Sequence, residues 1–179
     1  TLPYISGFLA FRECELLTPL LDAVRAEAPH VVPQVVLVDG SGVLHPRGFG
    51  LACHLGVVAD IPTIGVCKKF LHVDGLTKDR AKAAAAANDA AGDAVDLVGD
   101  SGRVWGAAVK STAGSDNPIF VSVGHRIALA TAVDVVRACC RFRVPEPVRQ
   151  ADLRSREWLR DHPPGSEAGG EPVGEGDGG

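Results

Sequence analysis

Asp39, His45 and Arg47 fall close together in the run Val38-Asp39-Gly40-Ser41-Gly42-Val43-Leu44-His45-Pro46-Arg47. A carboxylate can hold a divalent cation, and a guanidinium fork grips a phosphate through two hydrogen bonds. An imidazole beside them adds a hydrogen-bonding ring. Gly40 and Gly42 let the backbone turn tightly and leave room for a phosphate to approach. Together these residue types describe metal-assisted phosphodiester chemistry. The plain alternative is a polar loop after a core strand, and a D-G-x-G run alone does not decide between them.

Further groups could join that chemistry. Glu13 stands near the start of an apolar-periodic segment, where an acid ordinarily just complements the helix dipole. It becomes a metal-ligand candidate only if Asp39 lies beside it. Lys68, in Gly65-Val66-Cys67-Lys68-Lys69, follows a second apolar run and could reach either solvent or a phosphate. Asp152, in Arg149-Gln150-Ala151-Asp152, has the same two readings as an early-helix acid. His125 reads as a structural residue at a strand end. Tyr4, in Pro3-Tyr4-Ile5-Ser6, is the only Tyr of the chain. On an exposed, Pro-stiffened loop, such a ring could wedge between bases and stack on one.

The elements that must position these groups are legible as patterns. Leu16, Leu17, Leu20, Leu21 and Val24 recur at three- and four-residue steps, which predicts a helix from Phe11 to about Ala28, ended by Pro29 and Pro33. Gln34–Asp39 is a continuous apolar run and predicts a central strand buried on both faces, with Asp39 at its carboxyl end. That is the end where open α/β sheets bind ligands. Phe49–Ala59 predicts a helix and Thr63–Cys67 a second buried strand. Strand, helix and strand in this order form a parallel crossover unit, hence an α/β fold. Residues 77–91 predict an Ala-rich peripheral helix capped by Thr77. Arg103–Lys110 and Pro118–Val123 predict two strands joined by a turn at 113–117. Leu129–Cys140 predicts a core-facing helix, and Val148–Asp161 a last, polar one.

At 179 residues and 46% apolar content, the chain has enough material for one folded domain, expected over 1–162. Residues 163–179 read as a disordered, acidic, Gly-rich tail. The net charge is −4, whereas non-specific nucleic-acid binders are usually basic. The imbalance lies in the tail, with Glu167, Glu171, Glu175 and Asp177 and no base. The remainder carries 18 bases against 18 acids, so the charge does not exclude a nuclease. No apolar run approaches the roughly 20 residues of a membrane-spanning helix. Cys14, Cys53, Cys67, Cys139 and Cys140 show neither CxxC nor zinc spacing and read as free thiols, with vicinal Cys139-Cys140 an alternative redox pair. The chain begins at Thr1 and contains no Met, as expected of a piece lacking its natural N-terminus.

Taken in order, the motifs resemble the endonuclease V family. Pro3-Tyr4-Ile5 with Gly7-Phe8-Leu9-Ala10-Phe11-Arg12-Glu13 is similar to that family's wedge and helix start. Val38-Asp39-Gly40-x-Gly42-x-x-His45-Pro46-Arg47 with Gly50-Leu51-Ala52-x-His54-Leu55-Gly56 resembles its signature segment. Gly65-Val66-Cys67-Lys68-Lys69, Val123-Gly124-His125-Arg126 and Pro145-Glu146-Pro147-Val148-Arg149-Gln150-Ala151-Asp152 complete the series. The stretch from Arg141 to Arg149 is similar to the vertebrate branch.

This resemblance implies a ribonuclease-H-like mixed sheet flanked by helices. It implies Mg2+-dependent cleavage, with Mn2+ able to substitute, of the second phosphodiester 3′ to inosine, in single-stranded RNA first and deaminated DNA second. Glu13, Asp39 and Asp152 become metal ligands, and Lys68 a cation at the scissile phosphate. Pro3, Tyr4 and Ile5 belong to the wedge, while Gly42, His45 and Arg47 lie along the nucleic acid. A monomer acting in cytoplasm and nucleus, nucleolus included, without membrane attachment, is also implied. Two departures stand out. Ser6 replaces a second wedge Pro. A further catalytic Asp, on a first strand expected in mid-sheet, lies before Thr1. Weak metal binding and slow cleavage are therefore expected, and the alternatives are an inosine-binding module that does not cut or a structural α/β protein.

Overall fold

The computed structural model describes residues 9–86, 93–112 and 117–163. The wedge residues Pro3, Tyr4 and Ile5, most of the 113–117 turn, the end of the Ala-rich helix and the tail from 164 lie outside the described residues.

Helix α1 (Leu9–Glu27) turns one stripe, Ala10, Cys14, Leu17 and Leu21, onto helix α2 (Leu51–Ala59). The steps of four, three and four residues are those that share a helix face. The stripe meets Leu51, Ala52, Leu55 and Ala59, with Val38 and Ile61 completing this core. A single 3-10 turn, Pro29–Val31, follows α1 and redirects the chain toward the sheet.

The sheet contains β1 (Val36–Asp39), β2 (Thr63–Cys67), β3 (Ala94–Val98), β4 (Val104–Val109) and β5 (Ile119–His125), in the order β1-β2-β5-β4-β3. β1 and β2 run parallel, as the crossover reading requires, and the other neighbours are antiparallel. Period-two alternation sorts the side chains between faces. Ile64, Val66, Ala107, Val109, Ile119 and Val121 pack against Ala132, Val133 and Val136 of helix α4 (Leu129–Cys139). On the opposite face Cys67, Ala108 and Phe120 join Leu44, Phe70, Leu76 and Leu97, along with Ala81 and Ala85 of helix α3 (Lys78–Ala86). The Thr77 hydroxyl accepts the Arg80 N–H, the cap expected there. The mixed sheet flanked by helices matches the expected α/β class.

Two points refine the expected sheet. Among the described strands β1 is the outermost on its side. Its apolar run reflects cover on both faces, since Val35 and Leu37 pack toward α4 while Val36 and Val38 pack toward α1 and α2. Apolar content reports what lies above and below a strand and says nothing of its lateral neighbour. The five described strands are consecutive hydrogen-bonded neighbours, so a further strand would add beside β1 or β3. Finally, β3 was not anticipated. Its inward Val95 and Leu97 do alternate with exposed residues, but Asp96 interrupts the run.

Register positions the site. Asp39 lies across from Val66, Cys67 from Phe120, and Val109 from Ile119. Asp39, Lys68, the start of β5 and the end of β4 thus share one end of the sheet. His125, opposite Thr63, marks the other end.

Candidate active site

The chain leaving Asp39 is held by its own backbone. The Gly40 N–H donates to the Val66 carbonyl, the Gly42 N–H to the Ser122 hydroxyl, and the Val43 N–H to the Val123 carbonyl. The return leg closes with Gly50 N–H on Gly42 O and Ala52 N–H on Ser41 O. The loop therefore crosses over β2 and onto β5 before α2 begins. Such closeness requires missing side chains. A Cβ on Gly65 would lie 2.7 Å from the Ser41 carbonyl carbon, and one on Gly42 would lie 2.6 Å from that of Val123. Gly42 thus serves the fit of loop to sheet, where the sequence suggested room for a phosphate.

This frame pairs two of the expected groups and leaves a third within their field. Lys68 Nζ stands 3.1 Å from Asp39 Oδ2, with both side chains about half exposed. Glu13, half-buried on α1, lies within the field of Asp39. Partial burial pushes the Glu13 carboxyl above its usual range, the Asp39 charge pushes it further, and the Arg12 guanidinium pulls against both. Two carboxylates in one another's field, beside an ammonium, form an oxygen donor pair with a phosphate-compatible cation.

Other expected residues sit differently. Asp152, on helix α5 (Glu146–Asp161), pairs with Arg156 Nε at 3.0 Å. Among the described residues no three His, Cys, Asp or Glu side chains gather closely enough to hold a metal ion. His45 is buried, and its Nδ1 accepts the Arg47 N–H at 3.2 Å, so its ring helps hold the loop. Arg47 is exposed. At the far end of the sheet, Asp60 Oδ1 takes the Arg126 guanidinium at 2.6 Å and stands 3.8 Å from His125 Nε2.

Sequence reasoning missed the support on the loop's other flank. The Trp105 ring lies beside Gly48, Arg103 stacks on that ring at 4.1 Å, and the indole N–H donates to Asp74. Hydrogen bonds from Ser101 and Trp105 hold the Asp74 carboxyl below its usual range. Only the tertiary fold brings Asp74 and Trp105 together; no local pattern signals them.

The family model for Endonuclease V matches residues 1–153. The chain belongs to the Endonuclease V family. Mouse Endonuclease V is 55% identical over 159 residues, covering 88% of this chain and 47% of that protein. Human Endonuclease V is 53% identical over 161 residues, covering 89% and 57%. The chain thus spans about half the length of these relatives. The crystal structure of human ENDOV superposes with a TM-score of 0.82 at 52% identity, over 90% of this chain and 68% of that one. Ciona intestinalis Endonuclease V, solved with a 24mer DNA containing an inosine followed by a ribo-adenosine, gives 0.84 at 37% identity, over 90% and 69%. Within the Endonuclease V fold, Asp39 and Lys68 pair at one end of the sheet, Glu13 on α1 lies within the field of Asp39, and Asp152 pairs within α5.

Proposed function

We propose that this chain forms the catalytic surface of an Mg2+-dependent endonuclease that cuts inosine-containing strands at the second phosphodiester 3′ to the inosine. The substrate is single-stranded RNA first and deaminated DNA second. The observation that carries this reading is the Asp39–Lys68 pair at one sheet end, with Glu13 on α1 within the field of Asp39. Family membership and the inosine-containing DNA bound by the Ciona relative support it.

The donor chemistry fits a hard cation. Mg2+ typically takes one or two protein carboxylates and completes its shell with water and substrate phosphate. Glu13 and Asp39 would supply those carboxylates. When bound, the cation supplies charge neutralisation at the phosphate. Lys68, released from Asp39, orients a phosphate oxygen through a charge-assisted hydrogen bond. Glu13 must give up its proton to take part, and its raised pKa makes that harder in acid. Pro3, Tyr4 and Ile5 open the strand in this reading, and Arg47 contacts its backbone. Mn2+ substitutes for Mg2+, the protein acts as a monomer without membrane attachment, and its location is cytoplasmic and nuclear.

The deciding assay incubates the chain with inosine-containing single-stranded RNA and Mg2+, beside a guanosine-containing control and the Asp39→Ala variant. Slow inosine-dependent cleavage, abolished by EDTA and by Asp39→Ala, is the expected outcome. Cleavage that ignores inosine, or persists in Asp39→Ala, overturns it. A second reading, inosine binding without cutting, is favoured by Asp152 pairing with Arg156 instead of joining a three-residue metal cluster. Tight binding with no cleavage would establish that alternative.

A further inference from the structure

The segment joining α4 to α5 lies at the same end of the sheet as Asp39. The Arg143 guanidinium donates to the carbonyls of Asn117 and Pro118, immediately before β5, and the Ser111 hydroxyl donates to the Arg143 carbonyl just after β4. These bonds pin Arg143, next to Phe142 in the chain, where β4 ends and β5 begins. β5 is two strands from β1, so the segment is offset from Asp39 by roughly 10 Å.

Within it, Phe142 is 55% exposed, far more than a core aromatic. Its ring is nonetheless held in place. The Arg149 guanidinium lies 4.7 Å from the ring centroid. Arg149 is fixed in turn by two bonds to Glu146, Nε to Oε1 at 2.9 Å and Nη2 to Oε2 at 3.1 Å, and Gln150 adds a third donor to that carboxylate. Glu146 balances the Arg149 charge, leaving a supported aromatic surface. Exposed Arg141 stands on one side and Arg143 on the other, while Arg137 further back approaches Asp134 at 4.0 Å.

We propose that Phe142, braced by Arg149 and flanked by Arg141, is a stacking platform for one base of a single-stranded polynucleotide, a few nucleotides from the bond at the Asp39 end. The inference rests on the nuclease reading above. A supported ring stacks on any base, because every base has a π face. Arg141 is placed to meet the strand's phosphate. An apolar protein partner fits less well, because both chain neighbours of Phe142 are arginines.

The test measures binding of the 179-residue chain to a fluorescein-labelled, inosine-containing single-stranded RNA, by anisotropy in EDTA so that no strand is cut. Phe142→Ala should weaken Kd by about 5- to 150-fold, the range for one lost base stack. Phe142→Trp should bind as wild type, and Phe142→Leu, which keeps apolar bulk, should fall with the Ala variant. Arg141→Gln should flatten the salt dependence of log Kd by about 0.7. Shortening the RNA on one side of the inosine should abolish the Phe142→Ala effect, while shortening the other side should not. The proposal is overturned if folded Phe142→Leu binds as tightly as wild type, or if the effect is indifferent to which side is shortened. If the wild-type chain binds no inosine RNA, the nuclease reading itself fails. Wild-type binding unaffected by Phe142 sinks only the platform.

Discussion

Gly65→Ala is a strand substitution that should injure the site more than the sheet. Gly65 sits in mid-β2 without positive φ, so alanine meets no backbone strain there. The new Cβ would lie 2.7 Å from the Ser41 carbonyl carbon and 2.8 Å from Gly40 O, where ordinary contact begins at 3.4 Å. The neighbours are backbone atoms and cannot rotate away. The Gly42 backbone N would lie closer still, so the loop must retreat by at least about 0.7 Å at Ser41, two residues beyond Asp39. Overpacking of this kind costs about 1–3 kcal/mol. In a domain of this size that lowers Tm by roughly 2–12 °C. Asp39 moves with the loop, and disturbing the support of a metal ligand typically costs about 10- to 100-fold in affinity. Gly56→Ala is the matched control. Its Cβ would lie 2.5 Å from Thr63 Oγ1 and also crowd the His125 side chain, at the opposite sheet end. Both variants should lose comparable stability in thermal melts. Only Gly65→Ala should weaken Mg2+ or Mn2+ binding in titration calorimetry. Equal metal affinity in the two variants would refute the claim that Gly65 holds the Asp39 loop.

Other expectations follow from the same geometry. Ser122→Ala strands the buried Gly42 N–H without its acceptor and should cost about 1–3 kcal/mol in denaturant unfolding. Lys68→Met should change stability by less than about 1 kcal/mol, because its partner Asp39 is half exposed, yet reduce single-turnover cleavage about 100- to 1,000-fold. The folded-state pKa of Glu13 is raised, so its contribution to stability is complete below the unfolded pKa and is lost as pH rises through the folded value. Glu13→Gln should therefore melt higher than wild type at neutral pH, match it in acid, and show a smaller Mg2+-induced shift. Burial pushes the Cys67 and Cys140 thiols up to about 11, so both should resist iodoacetamide at pH 8 until the protein unfolds, as mass spectrometry of the alkylated peptides would show.

Much of this arrangement was legible because it is local. The Thr63–Cys67 run, bounded by Pro62 and by Lys68-Lys69, yields a strand with those bounds. The α1 stripe follows from three- and four-residue steps, and Asp39 at a strand end follows from where its apolar run stops. Sheet order was not legible. The run Val36–Asp39 reads identically for a central strand and for an edge strand covered on both faces. The start of α5 was placed late because Pro147 resembled a boundary, whereas proline is tolerated in a helix's first turn. The burial of His45 and the Arg149–Phe142 stack depend on residues distant in sequence or on side-chain direction. Spacing along the chain encodes neither.

The anchoring of the Asp39 loop on β5 bears on how the protein is made. The Gly42 N–H waits for a hydroxyl 80 residues further along the chain. At ribosomal rates of about 5–20 residues per second, that delay is roughly 4–16 s. During it, Val35-Val36-Leu37-Val38 has neither its final cover from α4 nor a fixed loop beyond it, since both depend on residues not yet synthesised. The nascent chain thus carries a β-prone segment with one face uncovered for seconds, the kind that misfolds or recruits chaperones. Yield of soluble protein should be set more by that interval than by the finished fold, and slowing translation between residues 43 and 122 should lower it.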